Sequence, residues 1–278
     1  MRVLSGADNT RFATWVRTLA TAKTNRMLPL PEWITAFYDK DSFVTHVYPS
    51  AILAAAATDH TALVGRAILA VRNNNVAAVN YDILQSFPGE QKELLASDSA
   101  HVEDSAAQDV PPVEVLQSFK PPSLPPSRLL LKVGAPIMLL RNLYPRQGLC
   151  NGTRLTVSRI SPRIIEARIM SGDFAGQLRL IPRIKLTSTE GELPFIVSRC
   201  QFPVRLSFAI TVNKSQGQSL TTVGLDLRHP VFAHGQLYVA MSRITTVAGL
   251  SVLLPVNSGV TGTARVVRNI VYREVLLP

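Results

Sequence analysis

Two stretches in the last third of the chain carry residue types that could do chemistry: residues 208–219 and 234–243. In the first, the apolar run 206–212 reads as a buried strand that ends in Asn213, Lys214, Ser215, Gln216 and Gly217. Open α/β sheets bring groups of this kind to ligands at the carboxyl ends of their strands. Small side chains and backbone N–H groups in such a turn can approach a phosphate closely. On residue types alone, the turn reads first as a satisfied surface loop. The second stretch reads as a helix with Leu237, Ala240 and Met241 as its apolar stripe. Arg243 closes its last turn, where the helix dipole favours a cation. Lys214–Ser215 does not form a P-loop. That motif needs Gly directly before the Lys and another five residues earlier, and Asn213 and Phe208 stand there.

These residues must be positioned by a fold, and the chain has the material for one. Its 278 residues, 46% of them hydrophobic, suffice for one large or two modest domains. No apolar run reaches the length of a membrane span, and the N-terminus lacks the order of a signal peptide. Cys150 and Cys200 have no partnering His/Cys cluster, which argues against a zinc site or a disulfide framework. His46, His60, His101, His229 and His234 show no ligand spacing, so no metal site is expected. The acidic residues Glu103, Asp104 and Asp109 read as a solvated loop.

Charge is unevenly placed. Residues 1–127 hold ten basic and thirteen acidic residues, residues 128–214 hold fourteen and four, and residues 215–278 hold five and two. The middle segment therefore has the positive field expected of a surface that follows a phosphate backbone.

Periodicity gives the elements in outline. Asp8-Asn9-Thr10 can cap a helix with Phe12, Trp15, Val16 and Leu19 on its apolar face. Trp15 belongs to that core face, with base stacking as the alternative. Residues 65–71 read as a strand, followed by Asn73 as N-cap and a helix carrying Val76, Val79, Ile83 and Leu84. Residues 88–127 read as an irregular connection. From Leu129, short strands are expected at 133–140, 153–160, 164–171 and 176–181, with a turn at 191–194. Their alternation turns Arg163, Arg168, Arg179 and Arg183 toward solvent. Residues 223–227 and 249–254 are further buried strands. With 67–70 and 206–210 they make an α/β domain around a mostly parallel sheet.

The order of these blocks resembles the Pif family of superfamily-one DNA helicases, in the branch carried by Helitron-type transposons. Beyond the two opening stretches, the resemblance runs through Arg66-Ala-Ile-Leu-Ala70 with Asn73, Leu131 to Asn142, Gly148 to Arg154, Ile181-Pro-Arg183, Gln201 to Val204 and Asn269 to Val275. Val71-Arg72 departs from the family's Pro-Thr before the Asn, and Met241 stands where Leu is usual.

The resemblance implies a RecA-like, P-loop-NTPase-type α/β domain that lacks the Walker A half. It also implies an inserted small β-barrel of the Src-homology-three kind. Residues 1–60 would be a helical remnant from a first RecA-like domain, and 61–128 the start of the second domain plus a connection. The barrel would occupy 129–201, and 202–278 would complete the second domain, re-entered at Phe202.

The same resemblance implies site roles. Arg243 would be an arginine finger, oriented by Gln236 and Tyr238, with Gln216 and Gly217 near the γ-phosphate. Met1-Arg2 would be the stump of a motif whose Arg2 reaches that phosphate. Thr211, Asn213, Lys214 and Ser215 would contact single-stranded DNA, joined by Arg163, Arg168 and Arg183 of the barrel. ATP and Mg²⁺ are the family's cofactors, and this chain alone is expected to hold neither. Expected partners are single-stranded and fork DNA and the missing first RecA-like domain, with no membrane. The expected compartment is the nucleus, with the mitochondrion as the alternative. Two functions fit: the C-terminal half of an ATP-dependent 5′-to-3′ DNA helicase, or a stand-alone, non-catalytic single-stranded DNA binding module or transposon-derived remnant. An arginine finger stabilises a transition state but cannot hold ATP by itself, so the isolated chain is expected to have no appreciable ATPase.

Overall fold

The computed structural model describes residues 5–21, 26–101, 112–119, 121, 123–189, 195–256 and 265–272. Arg2, the acidic residues 103, 104 and 109, the turn at 191–194 and the tail beyond 272 lie outside them. The first part of the chain forms α1 (Ala7–Thr21), β1 (Arg26–Pro29), β2 (Thr35–Phe37), α2 (Lys40–Val47), α3 (Ser50–Ala55), β3 (Arg66–Ala70) and α4 (Asn73–Ser86). Next come β4 (Lys92–Leu95), β5 (Ser97–His101), α5 (Val113–Ser118), β6 (Arg128–Leu131), β7 (Pro136–Leu139), β8 (Arg154–Ile160) and β9 (Ile164–Ile169). The rest comprises β10 (Leu178–Pro182), β11 (Ile184–Thr187), β12 (Ile196–Gln201), β13 (Val204–Leu206), β14 (Ala209–Thr211), β15 (Thr222–Asp226), α6 (Gln236–Met241), β16 (Leu250–Leu253) and β17 (Val266–Asn269). Two compact units result: Met1–Leu53 with Gly65–Ser86 and Phe208–Pro278, and Ala54–Val64 with Phe87–Ser207. No helix among the described residues is long and apolar enough to cross a membrane.

The first unit is built on a five-stranded sheet in the order β14-β3-β15-β16-β2, and every pair in it is parallel. Parallel strands are covered on both faces, so they read as continuous apolar runs. Ala67 to Ala70 are accordingly all buried. Gly224 of β15 marks where α2 lies on the sheet. A Cβ there would stand 2.6 Å from Val47 Cγ2 and 2.7 Å from Phe43 Cζ. Phe12, Val16 and Leu19 bury the inner face of α1. Trp15 is half-buried and meets Trp33 edge-on at 6.0 Å. Two boundaries shift slightly: α1 begins at Ala7, and α4 begins at Asn73 itself rather than being capped by it.

The second unit is antiparallel. Its largest sheet runs β10-β9-β8-β7-β13, beside a three-stranded sheet β11-β12-β5 and a β4–β6 ribbon. Leu94 of β4 and Leu129 and Leu131 of β6 share one core with Ile137, Leu155, Ile165 and Val204 of the large sheet.

Three sequence expectations are corrected here. Residues 88–127 are not simply irregular, since they contain β4, β5 and α5. The partners of these strands lie far along the chain, Lys92 opposite Leu131 and Ser97 opposite Cys200, so no local period announces them. The strand expected over 133–140 is shorter, because Gly134 adopts φ 85° and donates its N–H to Val157 before β7 starts at Pro136. The apolar run 206–212 is not one strand. Val204 to Leu206 pair with β7, Ser207 is held by Pro136 O and by Arg154 Nη2 at 2.9 Å, and only from Phe208 does the chain belong to the parallel unit.

Arg199 is the largest fully buried side chain among the described residues. It grips Asp98 with Nε at 2.9 Å and Nη2 at 2.7 Å, and donates from Nη1 to Pro125 O at 2.9 Å. Removing one partner of a buried pair leaves an uncompensated charge, which costs about 3–5 kcal/mol. Arg199→Met should therefore lower the denaturation free energy by about that amount, whereas Arg199→Met with Asp98→Leu should recover much of it. Urea titration of the three proteins measures this directly.

Candidate functional site

The polar turn begins where β14 ends. Thr211 is still extended (φ −73°, ψ 150°), Val212–Ser215 form a 3-10 turn, and Gly217 takes φ 83°. No atom lies within 4 Å of where a Gly217 Cβ would be, so it is the backbone angle that favours glycine there. Val212 is fully buried and anchors the turn. Asn213 and Gln216 are exposed, and Thr211 and Lys214 half-buried. Ser215 departs from expectation: its side chain is 0% exposed and its hydroxyl donates to Val212 O at 2.6 Å. It shapes the turn from inside rather than presenting itself with Asn213.

β14 is an edge strand, and α4 finishes its hydrogen bonding. Asn80, buried on α4, donates Nδ2 to Ala209 O at 2.8 Å and accepts the Ala209 N–H at 2.9 Å. Tyr48 donates its hydroxyl to Phe208 O at 2.6 Å. The polar turn thus leaves a strand whose backbone is closed by side chains.

Arg243 stands two residues beyond α6. Its Nε donates to Val239 O at 3.0 Å, Nη2 to Ser242 Oγ at 2.8 Å, and Nη1 to Gln218 O at 3.5 Å. The backbones meet as well: Leu220 N donates to Arg243 O at 2.9 Å and Thr245 N to Leu220 O at 3.0 Å. The turn and the arginine therefore share one edge of the first unit. Gln236 does not orient Arg243, because it is buried and its Oε1 accepts the Phe232 N–H at 3.1 Å. Tyr238 is half-buried on the same helix, and the groups that hold the guanidinium are Val239 O, Ser242 and Gln218. Of these only Ser242, next to Arg243 in sequence, left a legible signal.

A second polar cluster, missed in the sequence, lies at the carboxyl end of β15. Arg228 grips the buried Asp226 at 3.0 and 2.7 Å. That hydrogen bonding raises the arginine pKa, against the opposing effect of burial. Asn75 Nδ2 meets His229 Nδ1 at 2.9 Å. Among the described residues, no three His, Cys, Asp or Glu side chains come together to hold a metal ion.

Arg163, Arg168 and Arg183 all lie in the second unit. Arg163 is exposed, as expected. Arg168 and Arg183 are only half-buried, not free on the surface. Arg168 donates to Gly176 O at 3.1 Å, and Arg183 donates to Pro162 O at 2.8 Å and Leu95 O at 2.6 Å while lying 4.9 Å over Phe202. Alternation holds for Arg168, which shares the outer face of β9 with Glu166, but Arg179 lies on the same face of β10 as buried Ile181, and Arg163 and Arg183 fall outside the strands.

The fold has counterparts among solved helicases. A Pif1 helicase from Candida albicans matches with a TM-score of 0.57 at 22% identity, covering 96% of this chain and 56% of that one. A Pif1 helicase from Bacteroides, solved in complex with ADP-AlF3 and ssDNA, matches with a TM-score of 0.57 at 20% identity, covering 99% and 53%. The protein therefore has the RecA-like helicase fold. In sequence, the 2B domain of the DNA helicase Pif1 matches residues 114–160. The ATP-dependent DNA helicases PIF1 of Homo sapiens and Mus musculus are 34% and 35% identical over 189 and 192 residues, each taking in 66% of this chain and 26% of the relative. The chain thus spans about a quarter of the length of these relatives. It belongs to the Pif1 helicase family and corresponds to the C-terminal portion of its members.

The Asn80 clamp yields a prediction. Asn80→Leu should leave the Ala209 N–H and C=O buried without partners, at on the order of 2–4 kcal/mol for the two groups. Hydrogen exchange should then speed up selectively across residues 209–217, with α1 unchanged.

Proposed function

We propose that this chain is one lobe of an ATP-dependent DNA helicase, aimed at a nucleotide held by a partner RecA-like lobe. The observation that carries the reading is the shared edge, where Gln218 O and the Leu220 backbone tie the polar turn to Arg243. The chain contains no Gly-x-x-x-x-Gly-Lys stretch. What the edge offers a phosphate is a guanidinium and the side-chain amides of Asn213 and Gln216. These suit the far side of a phosphoryl group that another lobe grips. Bound ATP with Mg²⁺ would supply the phosphoryl group to be transferred.

Within this reading each residue has a task. Arg243 spreads its planar donors over charge that develops on the equatorial oxygens, a contribution of about 10³–10⁵ in rate where arginine fingers are known. Its bonds to Val239 O and Ser242 fix its direction beforehand, so little ordering remains to be done at the moment of reaction. Gln216 and Gly217 lie at the nucleotide end of the turn. Thr211, Asn213 and Lys214 take the backbone of a single strand, and buried Ser215 holds their spacing. Arg2 is assigned to the same phosphate from the family motif alone. The antiparallel strands within 129–201 serve as the Src-homology-three-like insertion, with Arg163 as a phosphate contact. Single strands and forks are the DNA partners, and the nucleus or mitochondrion is the compartment that follows.

The purified chain should bind single-stranded DNA with strong salt dependence. Three or four phosphate contacts correspond to roughly a 20- to 50-fold loss of affinity between 50 and 200 mM salt. It should show no DNA-stimulated phosphate release on its own. Turnover by the isolated chain that Arg243→Ala abolishes would overturn the single-lobe reading.

A further inference from the structure

We propose that the hairpin tip carrying Tyr144 and Arg146 is a further single-stranded DNA contact, with one base stacked on the Tyr144 ring and a neighbouring phosphate at Arg146. It rests on the single-strand reading above and extends it to residues that no motif marks.

The positive charge of the second unit is mostly spent internally. Arg141 donates to Ser123 O, Arg154 to Ser207 O, Arg168 to Gly176 O, and Arg199 to Asp98. Arg159 pairs with Glu166, and Arg128 with Glu93. Arg146, Arg163 and Lys185 remain exposed, with no side-chain hydrogen bond or ion pair among the described residues. Arg146 alone of these three stands beside an exposed aromatic, since Tyr144 is 57% exposed.

The tip is also rigid. Leu143 N and Leu149 N close it against Leu149 O (2.9 Å) and Tyr144 O (3.1 Å), and Gln147 N donates to Tyr144 O at 2.9 Å. Pro145 begins a 3-10 turn that ends at Gly148 with φ 81°. A Cβ on Gly148 would stand 2.7 Å from the Phe174 ring, so the tip sits directly on that ring. Arg179 lies 5.7 Å over the same Phe174 ring and donates Nε to Gln147 O at 2.9 Å. An aromatic held out to solvent on a braced support loses little freedom on binding. Stacking suits any base, while the adjacent guanidinium suits the backbone that links them.

The test is fluorescence anisotropy of the full chain with labelled oligo(dT) over a range of salt. Tyr144→Ala should weaken binding roughly 5- to 150-fold, the range for loss of one stacked base. Tyr144→Phe should keep affinity to within about twofold, because the ring face is retained. Arg146→Gln should flatten the log–log salt slope by about 0.7, one single-strand phosphate, whereas Tyr144→Ala should leave the slope alone. If the chain binds, Lys214→Gln weakens it and Tyr144→Ala does not, the tip is refuted and the helicase-lobe reading stands. If the unmodified chain fails to bind oligo(dT), both fall.

Discussion

The arrangement depends on a short backbone seam. Leu220 gives and receives hydrogen bonds on either side of Ile244, its N–H donating to Arg243 O and its carbonyl accepting from Thr245 N. Each bond is worth only about 1 kcal/mol net, but together they set the register between two segments that sequence keeps apart. The polar turn leaves β14 a few residues before Leu220, and α6 ends a few residues before Ile244. Any slip of this seam would move the guanidinium relative to Asn213 and Gln216. Gly249 tightens the same place. A Cβ there would come within 1.9 Å of Thr221 O, so the chain entering β16 can lie against the seam only as glycine.

Charge gives the second constraint. Formal counting assigns residues 128–214 a large positive excess, yet the structure draws most of those guanidiniums onto backbone carbonyls and three carboxylates, Glu93, Glu166 and Asp98. Arg205 goes further, since burial lowers its pKa and its Nε has no partner among the described residues. An arginine committed to carbonyls still adds to the long-range field, which falls off over a Debye length of about 8–10 Å. It cannot offer a phosphate the close, directed donors that give affinity. Segment charge therefore marks a region as attractive to nucleic acid, and the free donors mark where contact would be made.

This separation explains what could be read in the sequence. The parallel sheet was legible because its strands are buried on both faces and read as apolar runs, as in Ala67 to Ala70. The turn was legible as the polar end of an apolar strand and Arg243 as the end of an apolar helical stripe, while their joint assignment to a site came from the family resemblance. β4 and β5 were not, because their pairing depends on β6 and β12 and leaves no local period. The change of sheet at Ser207 was hidden because Leu206 and Ile210 are equally apolar on either side of it. Ser215 looked like its neighbours by residue type, and only the fold shows its hydroxyl turned inward to Val212 O.

The hydrogen bonds that hold Arg243 suit the action in trans proposed for it. Arg243 gives Nε to Val239 O and Nη2 to Ser242, so two donor groups are already occupied at the end of α6. The Nη1 contact to Gln218 O, at 3.5 Å, is long and weak. That side of the guanidinium lies beside the polar turn, and exchanging a long carbonyl contact for a charge-assisted bond to a phosphate oxygen would cost little and gain more. A change of position in the turn would alter Gln218 O, and with it the direction open to Nη1. Asn213 and Lys214, the proposed strand contacts, and the arginine are thus connected through four or five residues of backbone, short enough for displacement at one end to be felt at the other.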